Sequence, residues 1–185
     1  GSNNVTIGQS VAGTLALGTA TSSILTDTEL DNISTTGTLT IGQATTKGSD
    51  GAGTSASTVT SGAITLDELT LGSKNVTLVS SSTINDDDDT GTAITTTGTL
   101  TLTSGAAIGG SGGSQGLDID AGTLAITGTG SGNVTVTEAS GLVLGATTVG
   151  GTFSGTATTG NITDSGTLTI AGASTFITGA TGSNI

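Results

Sequence analysis

Hydrophobic and polar positions alternate along this chain. In Gly37-Thr38-Leu39-Thr40-Ile41 a leading glycine is followed by threonine and an aliphatic residue in turn. The order returns as Gly98-Thr99-Leu100-Thr101-Leu102 and as Gly166-Thr167-Leu168-Thr169-Ile170. A β-strand sends successive side chains to opposite faces, so a period of two predicts short strands with Leu and Ile inward and Thr outward. β-branched residues suit the pleat, and glycine suits the bend before it. The pattern places Leu39, Ile41, Leu100, Leu102, Leu124, Ile126, Leu168 and Ile170 inside, stacked as aliphatic ladders. Phe153 and Phe176 also follow threonine in strand-like sequence and are expected inside. No apolar pattern of helical period lasts three turns, so no α-helix is predicted.

One such short strand is not stable alone, but many near-copies are, if they stack. A second motif shows that the copies are ordered. Gly1-Ser2-Asn3-Asn4-Val5-Thr6-Ile7 recurs at Gly72–Leu78 and at Gly130–Val136. One offset carries both motifs from first to third copy: Gly1 stands to Gly130 as Gly37 stands to Gly166. At that offset 1–46 aligns with 130–175 without a gap. On that alignment Phe153 replaces Ile24, so the coil must widen or a neighbour shrink. The reading is one repeat array over 1–185, with long repeats at 1–71, 72–129 and 130–181 and another opening at 182. Three strand-rich portions per long repeat predict an all-β, right-handed parallel β-helix (a β-solenoid) of about eight coils of about 20–24 residues. At the usual strand spacing it is a rod about 40 Å long. The glycine-rich stretches 45–57 and 109–116 read as loops bulging from the coil. Both ends fall at the same point of the cycle, without a helix, proline or charged cap. Continuation of the array, or end-to-end stacking of copies, is therefore expected.

Composition fits a thin solenoid core. The chain has 33 Gly, two Phe, and no Pro, Cys, Met, Trp, Tyr or His. Its hydrophobic share is 32%, low for a globular domain, but disorder is opposed by the clean alternation and by only 9% charged residues. The net charge is −12, and Lys47 and Lys74 are the only cations. That balance disfavours nucleic acid and anionic lipid as partners. No apolar run reads as a signal peptide or membrane span, so a signal peptide is expected outside the segment.

Candidate chemistry is sparse. Asp86-Asp87-Asp88-Asp89 invites a calcium reading, but consecutive side chains of an extended chain point opposite ways, so a solvated loop is preferred. Gly109-Gly110-Ser111-Gly112-Gly113-Ser114 resembles a calcium-binding glycine repeat with Ser114 where an Asp ligand belongs. Gly51-Ala52-Gly53-Thr54-Ser55-Ala56 has dinucleotide-type glycine spacing, but strand-like sequence follows it where a helix is needed. Asn4, Asn32, Asn75, Asn133 and Asn161 stand in Asn-x-Ser/Thr, read as glycosylation acceptors or, preferably, as bends in which Asn bonds its own main chain. Asp118 and Asp120 share a strand face at glycosidase-like separation, with solubilising charge as the preferred role. No residue is assigned a catalytic, cofactor or metal role, and the chain is read as a non-enzyme without a cofactor.

The run Gly160-Asn161-Ile162-Thr163-Asp164-Ser165-Gly166-Thr167-Leu168-Thr169-Ile170-Ala171-Gly172, with Ser174-Thr175-Phe176, resembles large bacterial β-helix proteins of the filamentous-haemagglutinin type. The resemblance spans nearly the whole chain. It implies a right-handed parallel β-helix, export through an outer-membrane partner, and a place at the cell surface or outside it. It also implies a role as adhesin shaft or surface filament, with any host ligand bound by regions outside this segment. A structural shaft is thus the first expectation. An ice-binding solenoid is the second, motivated by Thr38/Thr40, Thr99/Thr101 and Thr167/Thr169 but broken at Thr14-Leu15-Ala16 and Thr123-Leu124-Ala125. A glycan-active β-helix enzyme is the third.

Overall fold

The computed structural model describes residues 3–9, 12–19, 22–43, 45–46, 58–88, 90–109 and 116–185, with only the backbone at 45–46 and 58–59. The described chain is a parallel β-solenoid, and three inward ladders define it. On the first face Ile7, Ile41, Leu78, Leu102, Ile126, Thr147 and Leu168 stand in register, rung on rung. On the second face the order is Leu15, Ile64, Ile84, Ile108, Val134, Phe153 and Ser174. On the third it is Leu69, Ile94, Ile119, Glu138, Ala157 and Thr178. Leu39, Ile41, Leu100, Leu102, Leu124 and Ile126 are fully buried, as the alternation requires. Leu168 and Ile170 belong to the last rung and are half-buried against the core.

The coils are fewer than the expected eight and less even in length. Among the described residues the first ladder takes six steps, from Ile7 to Ile41, Leu78, Leu102, Ile126, Thr147 and Leu168. The first two steps enclose much more chain than the others, for separate reasons. The step from Ile41 to Leu78 carries the glycine-rich insertion, closed at its base by the antiparallel pair Thr45–Thr46 and Thr58–Val59. The step from Ile7 to Ile41 carries a helix.

That helix, Asp27–Asp31, corrects the expectation of none. One and a half turns cannot show a three-turn pattern, but the capping box is plain. The Thr26 N–H donates to Glu29 Oε2 at 2.9 Å and the Glu29 N–H donates to Thr26 Oγ1 at 3.3 Å. The hydrogen bonds from Thr26 hold the Glu29 carboxyl below its ordinary range. Leu30 fills the core beneath the helix. The Thr70 N–H, which points away from the following coil, donates to Asp27 Oδ1 at 2.7 Å. Lys74 adds an ion pair with Asp31 at 3.4 Å. Leu25–Thr26 pairs with the outer edge of Leu15–Gly18. The N-terminal side of the second and third faces is therefore covered, contrary to the expected absence of any cap, while among the described residues Val5–Ile7 pairs only with Thr38–Ile41.

The asparagines at the bends act between coils. Asn4 Oδ1 accepts the Thr38 N–H, Asn75 Oδ1 the Thr99 N–H, Asn133 Oδ1 the Thr152 N–H and Asn161 Oδ1 the Asn184 N–H, each at 2.9 Å. The expected partner was the residue's own main chain; the observed one is the main chain of the next coil. Each bend thus satisfies a donor that the turn would leave unpaired. Asn32 differs: it ends the helix, and its Nδ2 donates to the Thr28 carbonyl at 2.9 Å. Asn133→Ala is expected to cost about 1 kcal/mol in urea denaturation and Asn133→Asp clearly less, because aspartate keeps the acceptor. Equal losses would contradict the clasp.

Candidate functional site

Two small clusters of acids, both on the second and third faces, hold the carboxyls that burial raises, Asp86 and Glu138. In the first, Asp86 closes the strand Ile84–Asp86. The expectation of a solvated loop holds at Asp87 and Asp88, which are exposed bends, and fails at Asp86. Asp86 pairs with Leu66, which pairs with Leu17, so the carboxyl stands at the end of an aliphatic column and is half-buried. Its Oδ2 accepts the Asp118 N–H at 3.4 Å. Burial pushes the Asp86 carboxyl up to about 6; donors at Asp118 and Asp88 pull it back, and the charges of the same two residues push it up. Asp88 turns outward and accepts the Thr90 N–H and hydroxyl, both at 2.9 Å. The run therefore diverges within three residues. Asp89 lies outside the described residues, as do positions 51–56 and 110–114 of the two glycine motifs. Among the described residues no three acids converge as metal ligands.

The second cluster is Glu138 with Asp120 and Ser140. Glu138 is fully buried, at 0% exposure. Its carboxylate accepts the Ala121 N–H at 3.1 and 3.3 Å and the Ser140 N–H at 3.4 Å. It also accepts the Ser140 hydroxyl at 3.2 Å, and that hydroxyl lies 3.5 Å from Asp120 Oδ1. Burial pushes the Glu138 carboxyl up to about 7, with Asp120 adding to the rise and the three donors opposing it. Asp118 and Asp120 share the outward face of Leu117–Thr127, as their spacing predicts; the Asp118 N–H donates to Asp86, and the Asp120 carboxylate lies beside the Ser140 hydroxyl at the Glu138 corner. Glu138 stands in none of the sequence motifs. Its signal was parity, since Val134, Val136 and Glu138 share one strand face.

Phe153 is 1% exposed, as expected, and Phe176 is half-buried beside it, with ring centroids 5.5 Å apart and planes at 42°. Ile24, aligned with Phe153 in the sequence, is 56% exposed and lies outside the strands, so Phe153 does not take its place; the small neighbour that leaves room for the ring is Gly155. A Cβ there would meet Phe153 Cε1 at 2.8 Å and Leu142 Cδ2 at 3.0 Å. At the C-terminal rung, Leu144, Ile162, Asp164, Leu168, Phe176 and Ile185 line a groove of about 150 Å³. It is largely apolar and continues the core outward.

Parallel rungs stacked on common ladders define a repeat β-solenoid protein. A family model described as repeats of unknown function (DUF5649) matches residues 131–185, the last coils of the stack. No curated protein and no solved structure was found to match the chain. Among the described residues no helix is long and apolar enough to cross a membrane.

Proposed function

We propose that this chain is a non-catalytic shaft segment of an extracellular filament or adhesin, of the filamentous-haemagglutinin type. The observation that carries the reading is the continuity of the ladders: seven rungs on the first face and seven on the second share one aliphatic core. Such a body resists bending and lengthens by adding rungs, which is what a shaft requires. The match to a repeat family over residues 131–185 supports the same reading. Self-association belongs to it. A further rung laid on Leu168–Ile170 and Ser174–Thr178 would cover the groove at Leu168, Phe176 and Ile185 and pair the open strand edges. The rung would come from the same polypeptide or from a second copy. At the opposite end, among the described residues, the edge of Val5–Ile7 is the one open to a rung, because the helix and Leu25–Thr26 occupy the other two faces. With a net charge of −12, neither nucleic acid nor an anionic membrane is proposed as a partner.

The test is immunogold electron microscopy of intact source cells with an antibody raised against this chain. Gold along extended surface fibres is expected. Labelling that appears only after the cells are opened would overturn the reading.

A further inference from the structure

Glu138 occupies a place that the fold reserves for aliphatic side chains. Register sets it between Ile119 and Ala157 on the third ladder. Ala121, whose N–H it accepts, belongs to the preceding coil, and Ser140 belongs to its own. The carboxyl therefore bridges two coils at one corner of the stack. Among the described residues the acid facing it is Asp120, on the neighbouring strand. Leu117–Thr127 carries Asp120, beside the Ser140 hydroxyl, and Asp118 two residues earlier, beside Asp86. The strands Ile94–Ser104, Leu142–Val149, Phe153–Ala157 and Ser174–Thr178 bring no ionisable side chain. No cation is on any of these elements, so nothing offsets a buried negative charge except the three hydrogen bonds.

We propose that Glu138 is a pH-sensitive joint in the stack: uncharged, it seals the corner between the two coils, and ionised, it loosens the corner at Ala121 and Ser140. The direction follows from linkage. Burial raises the folded carboxyl from 4.5 to about 7, so between those values the folded chain keeps a proton that an open corner gives up. The joint is tightest below the lower value and weakens as pH rises through the upper one. Asp86, raised from 3.8 to about 6, adds a loss of the same sign at lower pH. A variant at position 138 is needed to separate the two.

The experiment uses the whole chain. Carboxyl ¹³C NMR titration resolves the glutamates well, because there are only three of them: Glu29, Glu68 and Glu138. The Glu138 signal is expected to titrate near pH 7. Hydrogen exchange at the Ala121 amide, corrected for its intrinsic pH dependence, is expected to show opening about tenfold or more greater at pH 8 than at pH 5. In Glu138→Gln the fall in melting temperature from pH 5 to pH 8 is expected to shrink, and the variant is expected to melt above the parent at pH 8. A Glu138 signal titrating in the ordinary carboxylate range would overturn the proposal. So would an unchanged pH slope in the variant. If Glu138→Gln does not fold, the titration and the amide exchange of the parent chain decide alone.

Discussion

Leu100→Asp is expected to unfold the coils on either side of it, with a loss of about 4 kcal/mol or more, while Thr101→Asp stays within about 1 kcal/mol of the parent. The two positions are neighbours in sequence and opposites in surroundings. Leu100 is fully buried, in register with Val76 below and Leu124 above. An aspartate there loses the apolar contacts of leucine and also places a carboxylate in the ladder without a cation. Thr101 is outward, between Thr77 and Ala125, where a charge keeps its water. Urea denaturation of both variants measures the difference. Equal sensitivity at 100 and 101 would contradict the assignment of inward and outward faces.

The second large effect concerns a backbone contact. At the corner where Gly150 passes Gly130, a Cβ on Gly150 would lie 1.5 Å from the Gly130 carbonyl oxygen and 2.7 Å from its carbon. Neither atom is the end of a flexible side chain, so the two coils must separate for alanine to fit. Gly150→Ala is expected to cost about 3 kcal/mol. Gly13→Ala is the matched control. Nothing lies within 4 Å of a Cβ there, and its φ is not in the left-handed region. That variant should be neutral or slightly stabilising, by about 0.5 kcal/mol, through the reduced freedom of its unfolded chain. Thermal denaturation of the pair tests whether corner glycines are required for close approach. Comparable losses at both positions would show that they are not.

The alternation of Leu39 with Thr40, or of Leu124 with Ala125, was enough to read the faces, because a half-buried strand has only two sides. The same rule applied at two further positions and was masked by residue type. Ile84 and Asp86 share a parity, as do Val136 and Glu138, so both acids point along inward columns. An aspartate in a run of four suggests water, and a glutamate at a strand end suggests the surface. Burial was decided instead by the coils above and below. Coil number was less legible for another physical reason. Val5 and Val76 follow the same Asn and lie on one ladder, but Val134 lies on another. Because the rungs enclose unequal lengths of chain, copies of one motif come to lie on different faces of the stack. The helix at Asp27–Asp31 was too short for periodicity, although Thr26 and Glu29 had the spacing of a capping box. The serines could not be placed from sequence at all. Ser61, Ser80 and Ser104 are buried one above another at a corner, where the Ser104 hydroxyl donates to the Ser82 carbonyl at 2.6 Å. They face inward to serve carbonyls that the turn exposes, a role set by bend geometry and not by hydropathy.

The stacking itself is open to one direct measurement. The chain has no cysteine, so a single pair can be introduced without competitors. Thr77 and Thr101 are register partners on adjacent rungs. At the usual strand spacing their Cα atoms lie within disulfide range, while Thr77 and Thr103 are about 8 Å apart on the diagonal and out of range. On mild oxidation, Thr77→Cys with Thr101→Cys is expected to close an intrachain disulfide in the folded protein, and Thr77→Cys with Thr103→Cys is expected to stay reduced. Closure of the second pair in place of the first, or crosslinks formed only between molecules, would contradict a solenoid stacked in this register.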